Sequence, residues 1–298
     1  MSSANKAVID LGSNTFHLLI VDEHNNYVHR ERSFVRLAEE GIERIGDAAF
    51  KRGIDTLVHF HEELQAHGVT KCKVVGTAAL RSAKNSDVFI SEIKAKTGLS
   101  IKVIDGQKEA YYIYKGIATV VPMQEDNYLI MDIGGGSVEF ILVQDGEPIE
   151  KRSYNIGISQ MFARLAHSYP IKREERERVV EFIYQHIEDF IPLLKNTPIK
   201  AVIGASGSFE VLEAMYDLKV VQGSYNTLSD VDFMKMAKLV YTSSMDELLN
   251  NPAIPASRAK LINMAFILIE CILDLSKASS IFISPSAMKE GILSEMDE

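Results

Sequence analysis

Cysteine is scarce. Only Cys72 and Cys271 occur among 298 residues, far apart and outside any CxxC pair. That argues against a disulfide framework or a cysteine-based zinc module, and makes a reducing cytoplasm the expected setting. A basic excess is lacking too: 32 Lys and Arg stand against 41 Asp and Glu, a formal charge of −9. Without surplus cations to neutralise a phosphate backbone, general nucleic-acid binding is disfavoured. No apolar run is long enough for a bilayer, which needs about 20 residues. The most hydrophobic stretch, 261–275, is interrupted by Asn263, Glu270 and Asp274 and reads as a buried helix. The opening residues lead into an apolar strand without the core of a signal peptide, so no membrane partner is expected. Linker-like and low-complexity segments are also missing.

What remains is ordinary globular composition, 24% charged and 46% hydrophobic, with length for about two domains. Val8–Leu11, Phe16–Val21 and Tyr27–Phe34 read as three strands joined by tight turns, an antiparallel start to a sheet. A helical pattern over 47–67 closes at Gly68. Strand Lys73–Val75, a helix near 86–97 and strand Ile101–Ile104 continue an α/β alternation. Then the opening recurs. Leu129–Ile133 is a second apolar strand ending in Asp-x-Gly, followed by the apolar run Val138–Val143 and a hairpin signal at Asp145-Gly146. The recurrence predicts two duplicated domains, 1–124 and 125–298, with a short hinge near 122–126. Beyond it the pattern predicts a helix over 173–194, a strand over 199–203, two or three further helices and a strand over 280–283. A last helix, about 286–298, is a candidate to pack back on the first domain.

Gly12-Ser13-Asn14, Gly134-Gly135-Gly136-Ser137 and the third loop containing Gly204, Ser206 and Gly207 permit close approach of backbone amides to phosphate oxygens. The first two lie between strands rather than between a strand and a helix. That disfavours a dinucleotide fingerprint or a P-loop. A plain hairpin turn explains either loop alone; two copies with an aspartate at the same offset point to phosphate binding. Asp10 and Asp132, at strand ends beside these turns, are placed to hold Mg²⁺ directly or through water. Ser137 and Glu139 share one strand face, so Glu139 is expected to look into the same cleft as Asp132. Glu109 falls in the first turn of a helix after Asp105. It is either a simple helix-start carboxylate or a general base for an attacking water.

Together these segments resemble the exopolyphosphatase / guanosine pentaphosphate phosphohydrolase (Ppx/GppA) family of the actin-like ATPase superfamily. The resemblance rests on Val8–His17, Val35-Arg36-Leu37, Gly76–Arg81, Asp105–Ala110, Met131–Glu139, Gly204–Gly207 and Lys289–Leu293, in that order. It implies two actin-like (ribonuclease H-like) α/β domains with mixed sheets and an interdomain cleft. By the resemblance Glu109 matches the catalytic carboxylate, and Asp132 and Glu139 match the acids that hold Mg²⁺. Arg36 and Arg81 match basic residues facing the cleft. The implied reaction is Mg²⁺-assisted release of a terminal phosphate from polyphosphate or guanosine pentaphosphate, in the cytoplasm, with a homodimer left open. A small-metabolite kinase of the same superfamily and a non-catalytic polyphosphate or nucleotide sensor are the alternatives. Lys108, Lys260 and Lys289 depart from residues usual in the family. Longer members continue into an all-helical region beyond this point, an expectation that favours short substrates. A positive groove within an acidic exterior is expected for a polyanionic substrate.

Other features carry less. His59-Phe60-His61-Glu62-Glu63 is not HExxH, and residues 59 and 61 diverge by about 200° around a helix, so a solvated face is the expectation. The mixed-sign run 172–178 reads as a salt-bridged helix start. His17, beside the first loop, is assigned packing or hydrogen bonding.

Overall fold

The computed structural model describes residues 5–165, 167–205, 207–219, 221 and 223–297. Its first half runs β1 (Asn5–Leu11), β2 (Phe16–Val21), β3 (Tyr27–Ser33), α1 (Asp47–Ala66), β4 (Val69–Gly76), α2 (Ala78–Ser82), α3 (Ser86–Thr97), β5 (Ile101–Val103) and α4 (Gly106–Ala118). The second half begins β6 (Asn127–Ile133), β7 (Val138–Gln144), β8 (Glu147–Tyr154), α5 (Ile158–Arg164), α6 (Arg173–His186), α7 (Ile191–Asn196), β9 (Ala201–Gly204) and α8 (Gly207–Met215). It closes with β10 (Asn226–Ser229), α9 (Asp230–Thr242), α10 (Met245–Asn250), α11 (Ala256–Ala259), α12 (Ile262–Ser276), β11 (Ser280–Ile283) and α13 (Met288–Asp297).

The strands form two sheets, ordered β3-β2-β1-β4-β5 and β10-β11-β9-β6-β7-β8. In the first, β1 pairs antiparallel with β2 and parallel with β4. In the second, β6 pairs antiparallel with β7 and parallel with β9. The duplication read from Asp10 and Asp132 therefore extends to strand order and direction, with β1 and β6 in equivalent central places. The Asp145-Gly146 pair, both at positive φ, turns β7 into β8. Asp and Gly accept that backbone with little strain, as a two-residue hairpin turn requires.

Two differences from the sequence reading have physical causes. The helix expected over 173–194 is broken, α6 ending at His186 and α7 starting at Ile191. Pro192, in the first turn of α7, lacks an amide hydrogen and would press on the carbonyl four residues back in a continuous helix. Ile187, Phe190 and Leu194 stay buried regardless. The short strand β10 has no sequence signal, because Asn226–Ser229 carries one buried apolar residue, Leu228, and no usable alternation. The apolar stretch 261–275 is the buried helix α12. Among the described residues no helix is long and apolar enough to cross a membrane.

Each sheet has its own core, and a third core joins them. Val8, Leu19 and Val75 of the first sheet, and Ile130, Ile141 and Ile203 of the second, pack with Ile113 and Ile117 of α4 and Ile292 of α13. The two helices cross where both offer glycine. A Cβ on Gly116 would overlap the Ala287 carbonyl, and one on Gly291 the Tyr112 carbonyl. Glu295 then ties the crossing, accepting from Lys108 Nζ at 2.6 Å and from the Tyr112 hydroxyl at 2.5 Å. Gly291→Ala should cost about 1–3 kcal/mol through overpacking and lower the thermal midpoint measured by calorimetry. An unchanged midpoint would show that the crossing is not tight.

Candidate active site

Equivalent strands deliver equivalent acids. Along both β1 and β6 every residue is buried except the first and the aspartate, which are partly exposed. Each turn that follows is closed by the same hydrogen bond, Gly12 N–H to the Thr15 carbonyl and Gly134 N–H to the Ser137 carbonyl, both 3.0 Å. Each also leaves no room for a side chain, since a Cβ on either glycine would stand 2.9 Å from that carbonyl.

The loop carbonyls are tied from behind. Ser13 and Asn14 accept from the amides of Ala38 and Arg36, while Gly136, Gly134 and Gly135 accept from those of Gly157, Ile158 and Ser159. Held this way, the amides of Gly135 and Gly136 have no acceptor among the described residues and are available to an anion. The loops also interlock. Gly135 lies against the Asn14 side chain and Gly136 against Ser13 Oγ, and Ser159 Oγ donates to Asn14 Oδ1 at 3.0 Å.

Between the loops lies a cavity of about 160 Å³, bordered by Asp10, Glu109, Asp132 and Glu139 together with Gly12, Ser13, Asn14 and Gly134–Ser137. Cross-strand register explains the second pair: Asp132 stands opposite Glu139, and Glu139 opposite Ser153. Ser153 Oγ donates to Glu139 Oε1 at 2.7 Å. Glu109 comes from α4, whose start is capped by Asp105 accepting from the Lys108 amide at 2.7 Å. Arg81 Nη1 reaches Glu109 Oε2 at 3.0 Å and the Ile104 carbonyl at 2.8 Å.

Burial raises all three acids whose shifts are resolved. Asp10 is pushed up to about 6, chiefly by loss of water, with Lys289 opposing and Glu290 adding. Glu139 is pushed up to about 7 by burial and the neighbouring Asp132, against hydrogen bonds from Ser137 and Ser153. Glu109 rises well above the usual carboxylate range through burial and the charge of Glu139, with Arg81 holding it back. Asp10 Oδ1 is buried without a hydrogen-bond partner. His17 is driven the other way by burial and by nearby cations, first Lys289, and is neutral.

Five acids, Glu210 included, and two cations, Arg258 and Lys289, border the cavity among the described residues. Arg258 lies against Gly207 at the start of α8, its Nε is buried without a partner, and burial lowers it from the ordinary guanidinium value. Spacing gave no signal for either cation, because α11 and α13 bring them in from distant sequence. Of the expected site residues, Gly207 reaches the cavity; Gly204 sits beneath it against the Phe209 ring. Ser206 lies outside the described residues. Arg81 stands behind Glu109 rather than on the cavity wall. Exposed Arg36, at φ 54°, lines an adjoining groove of about 640 Å³ with Arg258 and Lys260. The expected positive groove is not found at the carboxylate cavity between the loops, where five acids outnumber two cations because the same strand ends that carry the loops carry the acids. The adjoining groove has Arg36, Arg258 and Lys260 against Glu39.

A family model described as the Ppx/GppA phosphatase family matches residues 19–298. A guanosine-5'-triphosphate,3'-diphosphate pyrophosphatase of Photobacterium profundum is 29% identical over 297 residues, 97% of this chain and 59% of that protein. One from Vibrio parahaemolyticus is 28% identical over 301 residues, 99% of this chain and 60% of that protein. The chain thus spans about three fifths of the length of these curated relatives. Among solved structures, an exopolyphosphatase from Cytophaga hutchinsonii superposes with a TM-score of 0.93 at 33% identity, covering 98% of this chain and 97% of that one. The Aquifex aeolicus Ppx/GppA member, at 23% identity and a TM-score of 0.82 over 98% and 97% of the two chains, shares the fold. That fold is the actin-like arrangement of two mixed α/β sheets. With the family model matching from β2 through the second Asp-x-Gly turn into α13, the chain belongs to the Ppx/GppA phosphatase family.

Proposed function

We propose that this chain hydrolyses the terminal phosphoanhydride of polyphosphate or guanosine pentaphosphate, with Glu109 as general base. The observation that carries the reading is the meeting of Glu109 with both glycine loops and Asp10, Asp132 and Glu139 around one cavity. The loop amides, Ser13 and Ser137 receive the terminal phosphate. Glu109 orients a water in line with the phosphorus and takes its proton as the new P–O bond forms and the bridging P–O bond breaks. A base with a raised pKa suits that task near neutral pH. Arg81 occupies Glu109 Oε2 and so acts as a positioning residue, leaving Oε1 to the water. Arg258 and Lys289 meet charge on the transferring group, and Arg36 and Lys260 meet phosphates further along the substrate.

The residues present fit a divalent cation. Asp10, Asp132 and Glu139 make an all-oxygen donor set of the kind Mg²⁺ prefers, and Asp10 Oδ1 lacks any other partner. When bound there, Mg²⁺ would supply Lewis-acid polarisation of phosphate oxygens.

Glu109→Gln should lower phosphate release by about 10²–10⁴-fold while the thermal midpoint holds or rises. The assay offers polyphosphates of graded length, guanosine pentaphosphate and ATP in parallel. Wild-type rates in the variant would remove Glu109 from the role, and ADP formation only with an acceptor would make the chain a kinase. Binding without turnover would make it a sensor. Arg258→Ala should raise KM for the phosphorylated substrate more than it lowers kcat; an unchanged KM would place the substrate elsewhere.

The raised acids give a pH signature. Because Asp10 and Glu139 titrate near 6 and 7 in the fold, above their ordinary values, the folded state holds their protons more tightly. Their contribution to stability is therefore full at low pH and is lost as pH rises through that window. Mg²⁺ must displace those protons, so its stabilising shift in thermal midpoint should grow from about pH 5.5 to about pH 8. A shift independent of pH would show that these acids do not hold the ion.

A further inference from the structure

On the first sheet, away from the cavity, α1 and β3 bring five metal-ligating side chains together. His59, Glu63 and His67 follow at intervals of four along α1 and its C-cap, so they share one stripe of the helix. His29 and Glu31, two apart on the edge strand β3, share one face. None of the five borders the catalytic cavity.

Their donor atoms converge. His29 Nε2 stands 3.5 Å from Glu31 Oε2 and 3.8 Å from Glu63 Oε2, and His67 Nε2 stands 3.5 Å from Glu63 Oε2. Ligand atoms of His29, Glu63 and His67 all lie within 4.8 Å of one another. Ligands at about 2.0–2.1 Å around a tetrahedral zinc ion are separated by about 3.3–3.5 Å. Glu63 already stands near that distance from both imidazoles, and the three donors have to close from within 4.8 Å. The two imidazole rings stack with centroids 5.0 Å apart at 30°, which turns both Nε2 atoms toward the same carboxylate. His59 Nε2 contacts both Glu31 oxygens, at 3.0 and 3.1 Å, and orients that carboxylate as outer partners of metal ligands do.

Two further observations favour a cation. His29 Nε2 is buried without a hydrogen-bond partner, although it faces two carboxylates. The C-terminal end of α1, where the helix dipole is negative, has no basic residue in its last turn. The side chains of His29, Glu31, Glu63 and His67 remain roughly a quarter to a third exposed, at 27–30%, so an ion can enter from solvent.

The geometry points to a structural site for a first-row divalent transition ion, with zinc the best fit, held by His29, Glu63 and His67. Glu31, 3.5 Å from His29 Nε2, is the nearest carboxylate to the fourth position. Two imidazoles sharing a carboxylate suit zinc rather than Mg²⁺, which takes oxygen donors. The ion clips the end of α1 to the otherwise exposed edge of the first sheet. It is chemically distinct from the all-oxygen site in the cavity and does not depend on the proposed reaction.

The test uses the metal-free full chain in excess Mg²⁺, which fills the cavity's carboxylates. Zn²⁺ is titrated against a chromophoric chelator, and Co²⁺ is followed by its visible absorption. The wild type should retain one Zn²⁺ equivalent, show the intense bands of tetrahedral Co²⁺, and gain thermal stability with Zn²⁺. His67→Ala and Glu63→Gln should each weaken Zn²⁺ about tenfold or more and abolish the thermal gain, with Mg²⁺-supported phosphate release unchanged. Both positions are partly exposed at the helix end, and circular dichroism checks that the variants fold. Identical titrations of wild type and variants would overturn the site, placing the ion at the cavity's acids. So would a wild type that takes up no Zn²⁺ from a tenfold excess over protein.

Discussion

Asp10, Glu109, Asp132 and Glu139 bring four carboxylates to the wall of one cavity, and two of them, Glu109 and Glu139, are almost wholly out of water. Like charges at such range in a poorly solvated site cannot all be ionised without compensation. The protein supplies only part of it: Arg81 to Glu109, Ser137 and Ser153 to Glu139, and Lys289 at a distance to Asp10. The remainder appears as pKa values lifted to about 6 and about 7. Stored proton affinity of this kind is a cost to the fold, and the divalent cation proposed for these acids would relieve it. The unpartnered Asp10 Oδ1 marks where relief is least complete.

That cost is sustainable because the scaffold around it is over-determined. Each aspartate ends the central strand of a sheet and is fixed by ladders on both sides. The loops beyond are pinned through their carbonyls, which leaves the Gly135 and Gly136 amides without an acceptor among the described residues. Interlocking of Gly135 with Asn14 and Gly136 with Ser13 sets the spacing between the two halves. On the far side the glycine crossing of α4 and α13 does the same, and α4 carries Glu109 at its start. Position of Glu109 and closeness of the sheets thus depend on one helix.

Much of this was legible because it is local or repeated. Strand alternation, Asp-x-Gly recurrence and the Asp145-Gly146 turn are short-range signals, and duplication strengthened each by a second copy. The pairing of Asp132 with Glu139 followed from strand period and a short turn. What stayed hidden depends on contacts distant in sequence. Arg258 and Lys289 reach the cavity only through the packing of α11 and α13. Arg81 was expected to face phosphate, yet α4 places Glu109 in its path. The adjacent pair His59 and His61 lies on different faces of α1 and gives no metal signal by itself. The stripe His59, Glu63 and His67 gains meaning only beside His29 and Glu31, which sheet pairing supplies.

The acidic balance of −9 also takes on a local meaning. A polyanion approaching the cavity meets five acids against Arg258 and Lys289, so the pocket by itself repels what the proposed reaction requires. The adjoining groove has the opposite bias, with Arg36, Arg258 and Lys260 against Glu39. Arg258 borders both. A phosphate chain lying in the groove would be held by cations the cavity lacks, and its end would be drawn inward only where cations offset the acids. Since screening confines exposed charges to about 8–10 Å, this division works at the scale of a few phosphates and is indifferent to the net charge outside. An acidic protein can therefore take a polyanionic substrate, provided that grip and chemistry are served by different surfaces sharing one arginine.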